Sequence, residues 1–369
     1  MKGNSMDRLI LAGDIGGTNT NLALVRSAGR RFEVLHSARF STKAETSLVA
    51  PMERFLETLR ERGFGDAIET CCISAAGPVK DDAIQLTNAP WGIAATELAA
   101  RFGMRVYLIN DFTAISYAVA LIDADDEAQL AHIPHCDGST PYPGEGIALV
   151  VGAGTGLGVG YMEKRADGSC VVYPSEGGHC TLPCYDDASY AFLRWMKRRT
   201  GYEPSAELGV SGQGIGNIFA FLCSDAFDPE SAAAYGKEYA GLDASPGPAA
   251  ARIMAEPELV RPAAIASSRA DDLRCALAME IFCNFYARVV SSLAAAFYPS
   301  AGVYLAGGIS SKNEAFLLEG RRFMKAFELN SESHLRDFLA GVPVMIVRDY
   351  SISLIGAANA AIQLERRHG

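Results

Sequence analysis

The chain has 369 residues, of which 49% are hydrophobic and 21% charged. These are the proportions of an ordinary globular protein; they exclude disordered, collagen-like and coiled-coil chains, and the length suits two domains. The 43 acidic and 33 basic residues leave a formal net charge of −10, a poor balance for neutralising nucleic-acid phosphates, so a phosphorylated ligand would need neutral donors or a metal.

From the N-terminus, an apolar run at 9–14 ends in Gly16-Gly17 and a second run follows at 22–25, the pattern of a hairpin. Residues 32–40 read as a third strand. Apolar residues at Leu48, Met52, Phe55, Leu56 and Leu59, with Gly63 beyond them, predict an amphipathic helix over 47–62. Strand 68–75, a helix near 95–102, strand 106–109 and helix 113–121 complete a βββαβαβα order. The same order restarts at 147–151, with a glycine-dense turn, strands at 159–162 and 171–173, and helix 188–199. After an insert come a long helix over 272–298, strand 303–306, a helix near 312–326, strand 342–347 and a last helix from Ser353. Leu277, Ile281, Phe285, Val289, Leu293 and Phe297 recur every four positions, which makes the long helix core-facing, and Pro299 stops it. The insert, 227–270, is proline-punctuated and carries no strand pattern; short helices and loops are expected there.

Nine cysteines form no regular framework, which favours reduced thiols in a cytoplasm. Cys180 and Cys184 follow His179, but no second pair completes a zinc tetrahedron, so core or loop packing is the expectation. The leader before Arg8 is short and polar, with no export signal, and the uncharged stretches 146–162 and 291–311 are too broken by glycine or by Pro299 to span a membrane.

Two glycine turns occupy matching places in the repeated order: Gly13-Asp14-Ile15-Gly16-Gly17-Thr18-Asn19 and Gly152-Ala153-Gly154-Thr155-Gly156-Leu157-Gly158. Each could be a tight hairpin, or could offer backbone N–H groups to phosphate oxygens. Neither has Walker A or GxGxxG spacing. Asp14, among such amides, suits Mg²⁺ held through coordinated water, or an Asx turn. Asn110-Asp111 ends a strand before a helix, at the edge where α/β sheets place active sites. Asp111 there is either a helix N-cap or a carboxylate that accepts a proton from an acceptor hydroxyl. Glu176, His179 and Glu207 lie on loops; they are surface groups or the complement of a polyhydroxylated substrate.

The ordered set GDIGGTN, IND, GAGTGLG, SEGGH, SAELGVSG and LAGGI resembles bacterial-type glucokinases of the hexokinase, actin and Hsp70 ATPase superfamily, from about Leu9 to the C-terminal helix. The resemblance implies an α/β fold of duplicated RNase H-like domains with a cleft between them, a small domain of 7–121 plus 350–369 and a large one of 122–349. It implies a homodimer that uses ATP and Mg²⁺ to phosphorylate glucose, with Asp111 as base. Asn110, Glu176, His179, Glu207 and, more weakly, Asn88 would bind the sugar, and Gly307-Gly308 would pack near the adenosine. Kinases for mannose, fructose or an N-acetylhexosamine, and a non-catalytic nucleotide-switched protein, are the competing readings. After His179 the sequence does not follow the cysteine-rich zinc loop of the sister repressor and sugar-kinase group, and about six residues precede the first hairpin, so neither that branch nor DNA binding is expected.

Overall fold

Unbroken burial of the consecutive residues Ile10, Leu11 and Ala12 marks the first strand as covered on both faces. The computed structural model describes residues 7–64, 68–86, 89–165, 169–243, 245–348 and 352–368. The chain divides into two compact units, the first comprising the described residues of Met1–Gln129, Gly160–Pro174 and Asp349–Gly369, the second Leu130–Val159 and Ser175–Arg348. The sequence-based boundary differs from this division at 122–129 and at 160–174.

In the first unit, β1 (Arg8–Ile15), β2 (Asn19–Ala28) and β3 (Arg31–Ser41) form an antiparallel meander, then α1 (Val49–Glu61) leads to β4 (Ile68–Ala75). Three short strands, β5 (Val79–Lys80), β6 (Ala83–Gln85) and β7 (Gly92–Ala94), make a small separate sheet that the sequence pattern does not reveal. Then come α2 (Ala95–Phe102), β8 (Arg105–Asn110) and α3 (Asp111–Val119). The sheet order is β3-β2-β1-β4-β8, with β1, β4 and β8 parallel. On one face Leu11, Leu22 and Ile73 pack with Met52, Phe55 and Leu59 of α1 and Leu98 of α2.

The second unit opens with β9 (Leu130–His132) and β10 (Gly146–Ala153). β11 (Leu157–Lys164) starts beside β10; its outer part, from Gly160, belongs to the first unit, where it pairs antiparallel with β12 (Cys170–Tyr173). Helices α4 (Asp187–Thr200) and α5 (Gly212–Leu222) follow. The insert holds α6 (Pro248–Ala255), α7 (Arg261–Ser268) and 3₁₀ turns, as its prolines suggest, and no strand among the described residues. α8 (Leu273–Phe297) is the long helix, ending at Tyr298 in the left-handed conformation one residue before Pro299. Its Tyr286 hydroxyl donates to Val151 O at 3.0 Å and lies 3.0 Å from Ser310 Oγ, fixing the helix against β10.

β13 (Val303–Ala306) is followed by α9 (Gly308–Lys312), α10 (Glu314–Leu318) and α11 (Arg322–Phe327), where the sequence suggested one helix over 312–326. The break falls at Gly320 and Arg321, both with positive φ, a conformation that ends helical hydrogen bonding and that periodicity cannot report. α12 (Ser333–Ala340) and β14 (Val344–Val347) complete the unit, whose sheet runs β11-β10-β13-β14-β9. The last helix, α13 (Ser353–His368), returns to the first unit and packs on α3 and on β1 and β4. Among the described residues no helix is long and apolar enough to cross a membrane. All nine cysteines are free thiols.

Candidate active site

In the first unit the turn after β1 is short because Gly16 N–H donates to Asn19 O at 2.9 Å. Thr42, fully buried, braces it from behind: its N–H donates to Thr18 O at 2.9 Å and its Oγ1 to Gly16 O at 2.8 Å. Thr18 and Asn19 are exposed, with Gly16 and Gly17 half-buried. Among the described residues the Gly17 and Thr18 amides have no backbone acceptor, so they are the donors this turn can present to an anion. Gly13 lies inside β1, where a Cβ would fall 2.5 Å from Ile73 Cδ1; glycine there makes room in the sheet.

Asp14 ends β1 with one oxygen accepting from Ser74 Oγ at 3.3 Å and the other from Ser353 Oγ at 3.0 Å. Burial raises its pKa, and the hydrogen bonds from Ser353, Ser74 and Asn21 oppose the rise. At the carboxyl end of β8, Asn110 is the N-cap of α3: its Oδ1 accepts Phe112 N–H at 2.8 Å and its amide donates to Gly77 O at 3.2 Å. Asp111 is therefore the first helical residue and not the cap. Its Oδ1 also faces Phe112 N–H, at 2.8 Å. Burial is again the main cause of a raised pKa, and the Asp14 charge adds to it. Two half-buried carboxylates that feel each other, neither ion-paired among the described residues, make a locus of uncompensated negative charge.

In the second unit Gly152 lies inside β10, paired with Ala306 of β13, while Gly154, Thr155 and Gly156 form the turn. Gly154 N–H donates to Gly156 O at 2.8 Å, and Leu157 N–H donates to Glu207 Oε2 at 2.8 Å. Gly307, at φ +93°, brings its backbone against Ala153; a Cβ there would overlap the Ala153 carbonyl, and Gly308 opens α9 beside it. Gly178 packs in the same way on the Leu157 carbonyl, which holds the Glu176–His179 loop beside the turn. The Glu176 and His179 side chains are exposed and 3.7 Å apart. Gly152, Gly154, Thr155, Gly156, Glu176, His179, Glu207, Gly307 and Gly308 thus gather around one turn within this unit. Asn88 lies outside the described residues.

Sequence reasoning missed Ser74, Ser353 and Thr42, which hold Asp14 and the first turn. A serine or threonine carries no periodic signal, and Ser353 is 339 positions from its partner. Among the described residues no cluster of three or more His, Cys, Asp or Glu could hold a metal.

The model of the Glucokinase family matches residues 11–364. The chain belongs to the glucokinase family. It is 31% identical over 361 residues to a glucokinase of Synechocystis sp., covering 96% of this chain and 98% of that one. The crystal structure of a glucokinase from an Antarctic psychrotroph is 26% identical, with a TM-score of 0.74 and 96% and 98% of the two chains covered. A ROK family glucokinase from Streptomyces griseus, solved in complex with glucose and AMPPNP, shares 19% identity at a TM-score of 0.56 over 96% and 99% of the chains, a likeness of fold. The mixed α/β architecture is consistent with the actin-like ATPase fold of such kinases.

Proposed function

We propose that the chain transfers the γ-phosphoryl group of ATP to the 6-hydroxyl of glucose, with Asp111 as the general base. The observation that carries this reading is the placement of Asp111. It stands at the carboxyl end of a parallel strand, freed from capping by Asn110, with Oδ1 accepting Phe112 N–H at 2.8 Å. In a loose phosphoryl-transfer transition state the proton leaves late, so orienting the hydroxyl matters more than basicity. A carboxylate made more basic by burial still accepts that proton more readily than an exposed one. The products are glucose 6-phosphate and ADP.

The Gly17 and Thr18 amides of the first turn and the Thr155 and Gly156 amides of the second are the donors proposed for the phosphates, with Gly307-Gly308 beside the adenosine. Asn88, Asn110, Glu176, His179 and Glu207 would bind the remaining sugar hydroxyls, which favours glucose through the family likeness. Mg²⁺ fits the donor set: Asp14 and Asp111 present half-buried negative charge with no cation paired to them among the described residues, and Asp14, already bonded by two serines, would hold the ion through coordinated water. When bound, the ion neutralises phosphate charge. A homodimeric, cytoplasmic enzyme belongs to the same reading.

We read the architecture as duplicated RNase H-like domains, 7–121 with 350–369 and 122–349. The strand sequence β3-β2-β1-β4-β8, two antiparallel neighbours and then parallel ones, supports this, as does its echo in β12, β11, β10, β13 and β14.

A coupled ADP-release assay across glucose, mannose, fructose and an N-acetylhexosamine, on the unmodified chain and on Asp111→Asn, tests the assignment. Turnover is expected with glucose foremost, nearly abolished by the substitution while sugar and nucleotide still bind. Undiminished turnover in the variant would remove Asp111 from the mechanism, and a preference for another hexose would change the substrate.

A further inference from the structure

We propose that Glu207 is a positioning residue for the second glycine turn, one carboxylate oxygen shaping the phosphate-binding backbone while the other serves the sugar; this rests on the reading of that turn as the nucleotide cradle.

The turn is clasped at both ends by a single short segment. At its exit, Leu157 N–H donates to Glu207 Oε2 at 2.8 Å. At its entrance, Gly154 O accepts from Gly212 N–H at 2.8 Å. Ser211, the N-cap of α5, fixes the spacing between the clasps: its Oγ donates to Glu207 O at 2.8 Å and accepts Gly214 N–H at 2.9 Å. The Thr155 and Gly156 amides, the donors proposed for phosphate, lie between the two held points. The carboxylate presses so closely on the turn that a Cβ at Gly156 would overlap Oε2. Any side chain at 156 would displace the Glu207 carboxylate from the position in which it holds Leu157.

A carboxylate has room for several donors on its two oxygens. Oε2 is committed to Leu157, and among the described residues no side chain or backbone donor engages Oε1. A sugar hydroxyl bonded to Oε1 would restrict the rotation of the whole carboxylate, and with it the Leu157 anchor. Sugar occupancy would then stiffen the turn and favour nucleotide binding, which is a coupling between ligands through one side chain.

Direct titration separates this from a role in sugar binding alone. AMPPNP is titrated calorimetrically into the full chain, with and without glucose, for the unmodified protein, Glu207→Gln and Glu207→Ala. Gln keeps a carbonyl oxygen that can accept Leu157 N–H but loses the charge; Ala removes the clasp. The expected result is a roughly tenfold loss of sugar-free AMPPNP affinity in Glu207→Ala, about 1.4 kcal/mol. Most of that affinity returns in Glu207→Gln, while both variants bind glucose poorly. Should Glu207→Ala not fold, Glu207→Asp, one methylene short of Leu157, is expected to show the same loss. Sugar-free AMPPNP affinity equal in all variants would overturn the proposal and leave Glu207 as a sugar ligand only. No AMPPNP binding by the unmodified chain would instead remove the cradle reading, and this inference with it.

Discussion

Ser353 Oγ donates to Asp14 Oδ2 at 3.0 Å, tying the first turn of α13 to the end of β1. With Ser74 on the other oxygen, it offsets part of the cost of burying the Asp14 charge. A hydrogen bond to a charged group contributes about 1.5–3 kcal/mol, so Ser353→Ala should push the Asp14 pKa further up and weaken the hold proposed for it on a hydrated cation. We expect kcat to fall about tenfold and the Mg²⁺ concentration for half-maximal rate to rise several-fold, with KM for glucose little changed. A magnesium titration at fixed ATP and glucose checks this; an unchanged Mg²⁺ dependence would detach Ser353 from the metal.

The parts of this fold legible in the sequence are those carried by local pattern. The meander, α1, β13 and the start of α13 follow from period and from turn residues, and the glycine turns announce themselves by composition. The Asp111 position was ambiguous between cap and base because a strand-end aspartate suits both; the neighbouring Asn110 resolves it by taking the cap. The hidden features depend on distant chain segments. Thr42 behind the first turn, Ser353 on Asp14 and Glu207 on Leu157 are contacts between segments 26, 339 and 50 positions apart. The helix break at Gly320 and Arg321 escaped because apolar spacing continues through it.

Gly356 lies where α13 crosses α3, and a Cβ there would overlap the Ala114 carbonyl and fall 3.0 Å from Ala118 Cβ. No flexible side chain can yield, since the obstacle is backbone. Gly356→Ala should force the helices apart and destabilise the protein by about 2–4 kcal/mol, within the range for overpacked cores and disrupted helix contacts. Because Asp111 begins α3, residual folded enzyme should also lose kcat. Urea unfolding with parallel assays decides; wild-type stability would mean that the two helices separate freely.

His135 is fully buried, with Nδ1 2.8 Å from Glu328 Oε1 and Nε2 2.9 Å from Val342 O. Glu328 also accepts Cys136 N–H at 3.0 Å, so one ring and one carboxylate join the loop after β9 to α11 and β14. His135→Ala leaves two acceptors without their partner and opens a cavity, and should cost about 2–4 kcal/mol. His135→Asn, shorter but polar, should recover part of it. Denaturant melting of both variants provides the check, with kcat at ordinary temperature expected to stay within about twofold because no proposed site residue touches the ring.

The raised pKa values of Asp111 and Asp14 fix the sign of two pH effects. For catalysis, the proposed base Asp111 must be ionised, so the acid limb of kcat/KM should fall at a pH above the ordinary aspartate value of about 3.9. For stability, a carboxyl group that protonates more readily in the folded state means that the native protein holds more protons than the unfolded chain across the window from about 3.9 up to the raised native value. Unfolding free energy therefore decreases as pH rises through that window, and the penalty is fully present at neutral pH. Asp111→Asn removes it while Asn110 keeps the cap, so the variant should melt about 1–2 °C higher than the parent at pH 7. Glu314 and Glu365, held below the ordinary glutamate range by Arg348 and by Thr70 and Arg8, titrate in the opposite sense, but they are common to both proteins and cancel in the difference. The advantage of the variant should shrink as the pH is lowered. A scanning-calorimetry series of the two proteins from pH 8 to pH 4 measures it, and a variant less stable than the parent at pH 7 would show that the Asp111 charge is not held at a cost.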